Sequence, residues 1–124
     1  MRKILGKDTK PELLVRRLAH GLGYRYRLHK TNLPGRPDLV FAAKKKVIFV
    51  HGCFWHMHNA SRCRIAHQPK SNQAYWLPKL QRTALRDQTN QAALSALGWK
   101  VLTIWECETK TLAQVERRLI DFLE

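Results

Sequence analysis

Acidic residues are scarce in this chain: nine Asp and Glu stand against 23 Lys and Arg, a formal charge of +14 over 124 residues. So one-sided a surface argues against a polycationic partner and marks a binder of polyanions, nucleic acid first. Phosphate contacts would then carry most of the affinity, and binding should fall steeply with salt. Cysteine is scarce too. Three cysteines cannot all pair within the chain, which speaks against a disulfide framework. No apolar run approaches the roughly 20 residues of a membrane helix. The start, Met1 to Gly6, lacks the apolar stretch of a signal peptide, so a cytoplasmic location is expected. Internal repeats, low-complexity tracts and Gly/Ser linkers are missing, and the length suits one core and not two. With 44% hydrophobic residues, the expectation is a single folded domain over 1–124.

What is present reads as alternating helices and strands. Thr9-Lys10-Pro11-Glu12 has the form of a capping box with proline in the first turn, opening a helix with Leu13, Leu14, Leu18 and Leu22 as its apolar face. That helix should end at Gly21 or Gly23. Tyr24 to Leu28 alternates aromatic and basic residues, as a half-buried strand does. Asp38–Ala42 and Val47–Val50 read as a hairpin around a solvated lysine turn, Lys44 to Lys46. The pattern from Ser71 to Leu97 is helical, with a kink or junction at Pro78 and a stop at Gly98. Trp99 to Trp105 is a further strand. Thr111 opens a last helix, with Gln114 completing a capping box and Leu112, Val115, Leu119 and Phe122 on one face. The order predicts an α/β fold with a mixed sheet flanked by helices in three layers.

The chemistry concentrates in Val50-His51-Gly52-Cys53-Phe54-Trp55-His56-Met57-His58 and Cys63 shortly after. Cys53, His58, Cys63 and the distant Cys107 make a closed set of three thiolates and one imidazole, the pattern of a structural zinc. Cys53 and Cys107 are equally readable as small buried hydrophobes. Asp38, at the end of the rigid turn Leu33-Pro34-Gly35-Arg36-Pro37-Asp38, either shapes that turn or holds Mg²⁺ against a phosphate, with Arg36 alongside. His56 suits a general base for water, since an unperturbed imidazole titrates near pH 6.5. Asp87 either orients it or is a helix-surface charge paired with a nearby arginine. His51 is a second acid–base group or a core histidine, while His20, His29 and His67 have no motif context. Trp99 and Trp105 read as core. Phe54, Trp55 and Trp76 are large apolar groups on a basic protein, readable as core or as a wedge between base pairs.

Taken together, these segments resemble the very short patch repair (Vsr) endonucleases, bacterial enzymes that nick mismatched DNA. The resemblance rests on Gly6–Glu12, Leu33–Asp38, Val47–His58, Leu97–Val101 and Ile104–Cys107, nearly the whole chain in family order. It implies a fold related to type II restriction endonucleases, a structural zinc held by Cys53, His58, Cys63 and Cys107, and a shortened N-terminal segment. The implied reaction is a Mg²⁺-dependent nick 5′ of the thymine in a T·G mismatch left by deamination of 5-methylcytosine. Asp38 and the Val50 carbonyl would hold Mg²⁺. His56 would be the base with Asp87 behind it, and Glu12 and His51 a second pair handling water. Phe54, Trp55 and Trp76 would form the wedge. The implied partner is double-stranded DNA bearing the mismatch, bound by a monomer, with a mismatch-repair matchmaker protein as a candidate partner.

Other readings keep parts of this set: a restriction-like nuclease without mismatch selectivity, a non-catalytic zinc-stabilised DNA-binding module, or a zinc hydrolase using His51, His56 and His58. Asp38, His56 and Asp87 argue against the module, and the charge argues against a small-molecule hydrolase.

Overall fold

The computed structural model describes residues 9–28, 32–53 and 73–124. Helix α1 spans Lys10–Gly21, strand β1 Arg27–Leu28, β2 Leu39–Phe41 and β3 Lys46–His51. Helix α2 spans Gln73–Ala96, β4 Lys100–Trp105 and α3 Leu112–Leu123. The strands lie in the order β1-β2-β3-β4. The first two pairings are antiparallel and the third, β3 with β4, is parallel. The mixed sheet is therefore as expected, with α2 in the crossover between its parallel pair.

Each face of the sheet buries its own cluster. Leu39, Phe41, Ile48 and Ile104 pack against Val15 and Ala19 of α1 and Val115, Leu119 and Leu123 of α3. The alternate residues Val40, Val47 and Phe49 pack against Leu94 of α2, with Leu33, Trp99 and Val101 at the margin. Period-two alternation along β2 and β3 feeds both layers.

The local signals are largely met. Thr9 and Glu12 form the reciprocal capping box, and α1 carries proline at its start. Both α1 and α2 close in Schellman motifs: Gly23 N donates to the His20 carbonyl and Tyr24 N to that of Ala19. Gly98 N and Trp99 N repeat the pattern on Ser95 and Leu94. The glycines stand at φ 93° and 89°, where a side chain would be strained.

Four expectations need correcting. The wholly buried stripe of α1 is Glu12, Val15 and Ala19; of the expected leucine face Leu18 and Leu22 pack at the core's margin, whereas Leu13 is 41% exposed. Three- and seven-residue spacing from Glu12 sets that stripe, so the carboxylate itself is packed inward. Helix α2 runs on through Pro78 as one element and not as two helices joined there, because an early proline removes only its own bond to the preceding turn. Thr111 makes no side-chain cap: its main-chain carbonyl accepts from Gln114 N and Val115 N, after a 3₁₀ segment at Glu106–Lys110. Leu112 is accordingly exposed. The lysine turn is not merely solvated. Lys45 Nζ bonds the Leu97 carbonyl at 3.2 Å and Lys46 Nζ that of Phe122 at 2.6 Å, two helix C-termini whose partial negative charge attracts cations.

Candidate active site

The site forms where β3 ends. Because β2 runs antiparallel to β3, the start of β2 lies beside that end, and this brings Asp38 to Val50. Asp38 Oδ2 accepts from Val50 N at 2.6 Å, while Asp38 N donates to the Ile48 carbonyl. The turn that delivers Asp38 is tightly specified. Gly35 has φ 77°, and a Cβ there would meet Asn90 Cβ at 3.0 Å and Phe49 Cζ at 3.1 Å. Arg36 follows at φ 49° with its side chain exposed, and Pro37 is buried.

From α1, Glu12 reaches the same place, at 2% exposure. Its Oε2 accepts from Thr9 N and Oγ1 at 3.3 and 3.2 Å, and its Oε1 from Arg16 Nη2 at 3.2 Å. Burial pushes the Asp38 carboxyl up from 3.8 to about 8. The Val50 N–H and Arg16 act to lower it, while the charge and hydrogen bond of Glu12 raise it. Two buried carboxylates so close together require a proton or a cation between them. This donor set therefore fits a divalent cation that prefers oxygen ligands.

On the α2 side of the sheet lies His51, 5% exposed, edge-on to Trp105 with ring centroids 5.2 Å apart and tilted against Phe49 at 5.5 Å. Its Nδ1 lies 4.0 Å from Asp87 Oδ2. Asp87 is thus not a surface charge. It shares a heptad-spaced stripe with the buried Leu80 and Leu94, so α2 turns it toward the sheet. At 4.0 Å the two are outside direct hydrogen-bond range. Trp76 is half-buried in the first turn of α2, edge-on to the exposed Tyr75.

The parallel pairing also accounts for the two distant cysteines. His51 pairs with Trp105, so the positions two residues beyond each, Cys53 and Cys107, meet at the sheet end. Cys107 N donates to Cys53 Sγ at 3.3 Å, an N–H···S contact of the kind that supports a ligating sulfur. Among the described residues no three His, Cys, Asp or Glu side chains form a metal-holding group. His58 and Cys63, the other half of the expected zinc set, lie outside them, as do Phe54, Trp55, His56, His29 and His67.

One participant was missed by the sequence reading: Arg16, whose ion pair with Glu12 is almost wholly removed from solvent. Its position four residues after Glu12 was the available signal.

The fold has a close counterpart among solved structures. Over 93% of this chain it superposes on 94% of the catalytic domain of the homing endonuclease I-Bth0305I, with a TM-score of 0.62 at 23% identity. In sequence, residues 1–62 match the family model described as DNA mismatch endonuclease Vsr. The chain is 48% identical, over its whole length and 89% of the relative, to the type II nicking enzyme V.XorIIP of Xanthomonas oryzae pv. oryzae. It is 44% identical to V.NmeAIP of Neisseria meningitidis over 96% of this chain and 83% of that one. Against the DNA mismatch endonuclease Vsr of Escherichia coli the identity is 40%, over 86% of this chain and 67% of the relative. The chain belongs to the Vsr endonuclease family and is a DNA endonuclease. No described helix is long and apolar enough to cross a membrane.

Proposed function

We propose that this endonuclease nicks duplex DNA 5′ of the thymine in a T·G mismatch, in a Mg²⁺-dependent reaction that initiates very short patch repair. The observation that carries the reading is the Asp38–Val50–Glu12 cluster beside the His51–Asp87 pair, both at the same end of β3.

The basic surface draws the duplex in, and Arg36 contacts its phosphates. Phe54, Trp55 and Trp76 enter the stack at the mismatch, where opening a step costs least, on the order of a few kcal/mol. Asp38 and the main-chain carbonyl of Val50 would hold Mg²⁺. When bound, that ion polarises the scissile phosphate and offsets the charge that builds on the departing oxygen. His56, oriented by Asp87, takes a proton from the attacking water. The water oxygen bonds to phosphorus, the P–O ester bond breaks, and the departing sugar oxygen receives a proton from water held by Glu12 and His51. Cys53, His58, Cys63 and Cys107 would hold a structural Zn²⁺ at the ends of β3 and β4. The Cys53–Cys107 contact supports that assignment. We take residues 1–124 as one domain, acting in the cytoplasm as a monomer, with a matchmaker protein as a candidate partner.

The test is strand-resolved cleavage with Mg²⁺ of labelled duplexes differing only in one T·G pair, placed in several 5-methylcytosine contexts. A nick beside the thymine in the mismatched duplex alone, absent in Asp38→Asn, is expected. Equal cutting of the matched duplex would replace this reading with a restriction-like nuclease.

A further inference from the structure

We propose that Arg16 is a positioning residue for the divalent-cation site: its guanidinium holds the Glu12 carboxylate toward Asp38 and offsets one of the two negative charges there. The inference rests on the reading of Asp38 as a cation ligand. Arg16 Nη2 lies 3.2 Å from Glu12 Oε1, and the side chains are 11% and 3% exposed. An ordinary i,i+4 pair on a helix surface is wet and nearly neutral in energy. This one is dry, and a guanidinium is seldom desolvated except to face charge. The other Glu12 oxygen is held by Thr9, so the carboxylate is fixed from both ends of the first helical turn. The Arg16 main-chain carbonyl accepts from Tyr26 Oη at 3.4 Å, a contact that a side-chain substitution leaves in place.

The consequence is a division of effects. With Asp38 ionised, as a bound cation requires, the three groups Glu12, Asp38 and Arg16 sum to −1; without Arg16 they sum to −2. A doubly charged cation should therefore bind more tightly when Arg16 is removed, although Glu12 is less well aimed and the chemical step slower. A residue that served folding alone would not produce opposite changes in the two quantities.

The experiment titrates Mn²⁺ into the full chain by calorimetry without DNA, for wild type, Arg16→Gln, Arg16→Lys and Asp38→Asn. Nicking at saturating Mg²⁺ is measured beside it. Expected for Arg16→Gln is a Kd about five-fold tighter, on the order set by one unit charge in a half-buried site, with nicking about ten-fold slower. Arg16→Lys should keep the wild-type Kd and lose about three-fold in rate, because an ammonium lacks the planar fork. If Asp38→Asn leaves Mn²⁺ binding unchanged, the cation-ligand reading fails and this inference with it. If Asp38→Asn abolishes binding but Arg16→Gln leaves Kd unchanged or weaker, only the role of Arg16 is overturned. Should Arg16→Gln not fold, Arg16→Lys carries the test, and an unaltered rate overturns the proposal.

Discussion

Two Glu–Arg pairs in this molecule differ in kind. Glu108 is closed off: Arg118 Nη1 approaches its two oxygens at 2.6 and 2.5 Å, and Trp105 N donates to Oε1 at 2.8 Å. Charge there is balanced one against one, in a place where Arg118 is 34% exposed. Glu12 is bonded at a looser 3.2 Å by Arg16 and shares its surroundings with a second buried carboxylate, which it helps push up to about 8. The closed pair anchors a 3₁₀ turn to α3. The other shares its site with a second carboxyl, and such an imbalance in a dry site is where a perturbed group is found.

The largest effect expected is on the unbalanced side. Asp38→Asn should lower nicking by about a thousand-fold or more, the scale on which loss of a key electrostatic contribution is felt. Binding of the duplex should be unchanged, since a neutral amide replaces a carboxyl that holds its proton up to about pH 8. Gel-shift and single-turnover measurements separate the two. Retention of more than a tenth of the rate would dissolve the contrast between the pairs.

Next in size is the turn that delivers Asp38. Gly35→Ala adds a side chain at φ 77° and 3.0 Å from Asn90 Cβ. Strain and overlap together should cost about 2–3 kcal/mol of stability, read from denaturant midpoints. An unaffected midpoint would mean that the turn gives way easily and does not fix the carboxylate.

A smaller change follows from pH. The folded protein holds a proton on Asp38 up to about pH 8, whereas the unfolded chain releases it near 3.8. Stability tied to this group is thus fully present at the acid end and is lost as pH rises through that window. Asp38→Asn, always neutral, should show little gain in Tm near pH 4 and a growing one toward pH 8. A gain of about 1 kcal/mol, roughly 3–6 °C for a chain of this size, is expected at the alkaline end. A Tm difference flat across the range would show that burial does not hold the proton.

Much of this was legible in the sequence, for identifiable reasons. The element order followed from periodicity and from glycine stops whose backbone bonds the fold then made. Cys53 and Cys107 were visible as ligand types, but their meeting depends on parallel register, which spacing along the chain does not encode. Asp87 was ambiguous because a 3.6-residue period read from polar residues alone does not say which stripe faces inward; Leu80 and Leu94, seven residues to either side, settle it. Arg16 escaped notice because an i,i+4 pair reads the same on paper whether it is wet or buried. The lysine turn is exposed at Lys44 and Lys45 as read, but the acceptors of Lys45 and Lys46, carbonyls at helix ends 52 and 76 residues away, were not legible.

The smallest effect tests the comparison from its closed side. Glu108→Gln keeps an oxygen for Trp105 N and removes the charge that Arg118 meets. Arg118 is not left buried by the change, since about a third of it already reaches solvent. The loss should be about 1 kcal/mol or less, the scale of a partly exposed ion pair, and it should shrink at high salt. Nicking should stay within about two-fold, because a single balanced pair holds a turn and has no surplus charge for a cation or a proton to answer. Trp105 links the closed pair to His51, since its ring lies edge-on against that imidazole while its main-chain N–H is held by Glu108. A nicking loss comparable to that of Asp38→Asn would therefore mean that the turn at Glu106–Lys110 aims His51, and the closed pair would then belong with the chemistry.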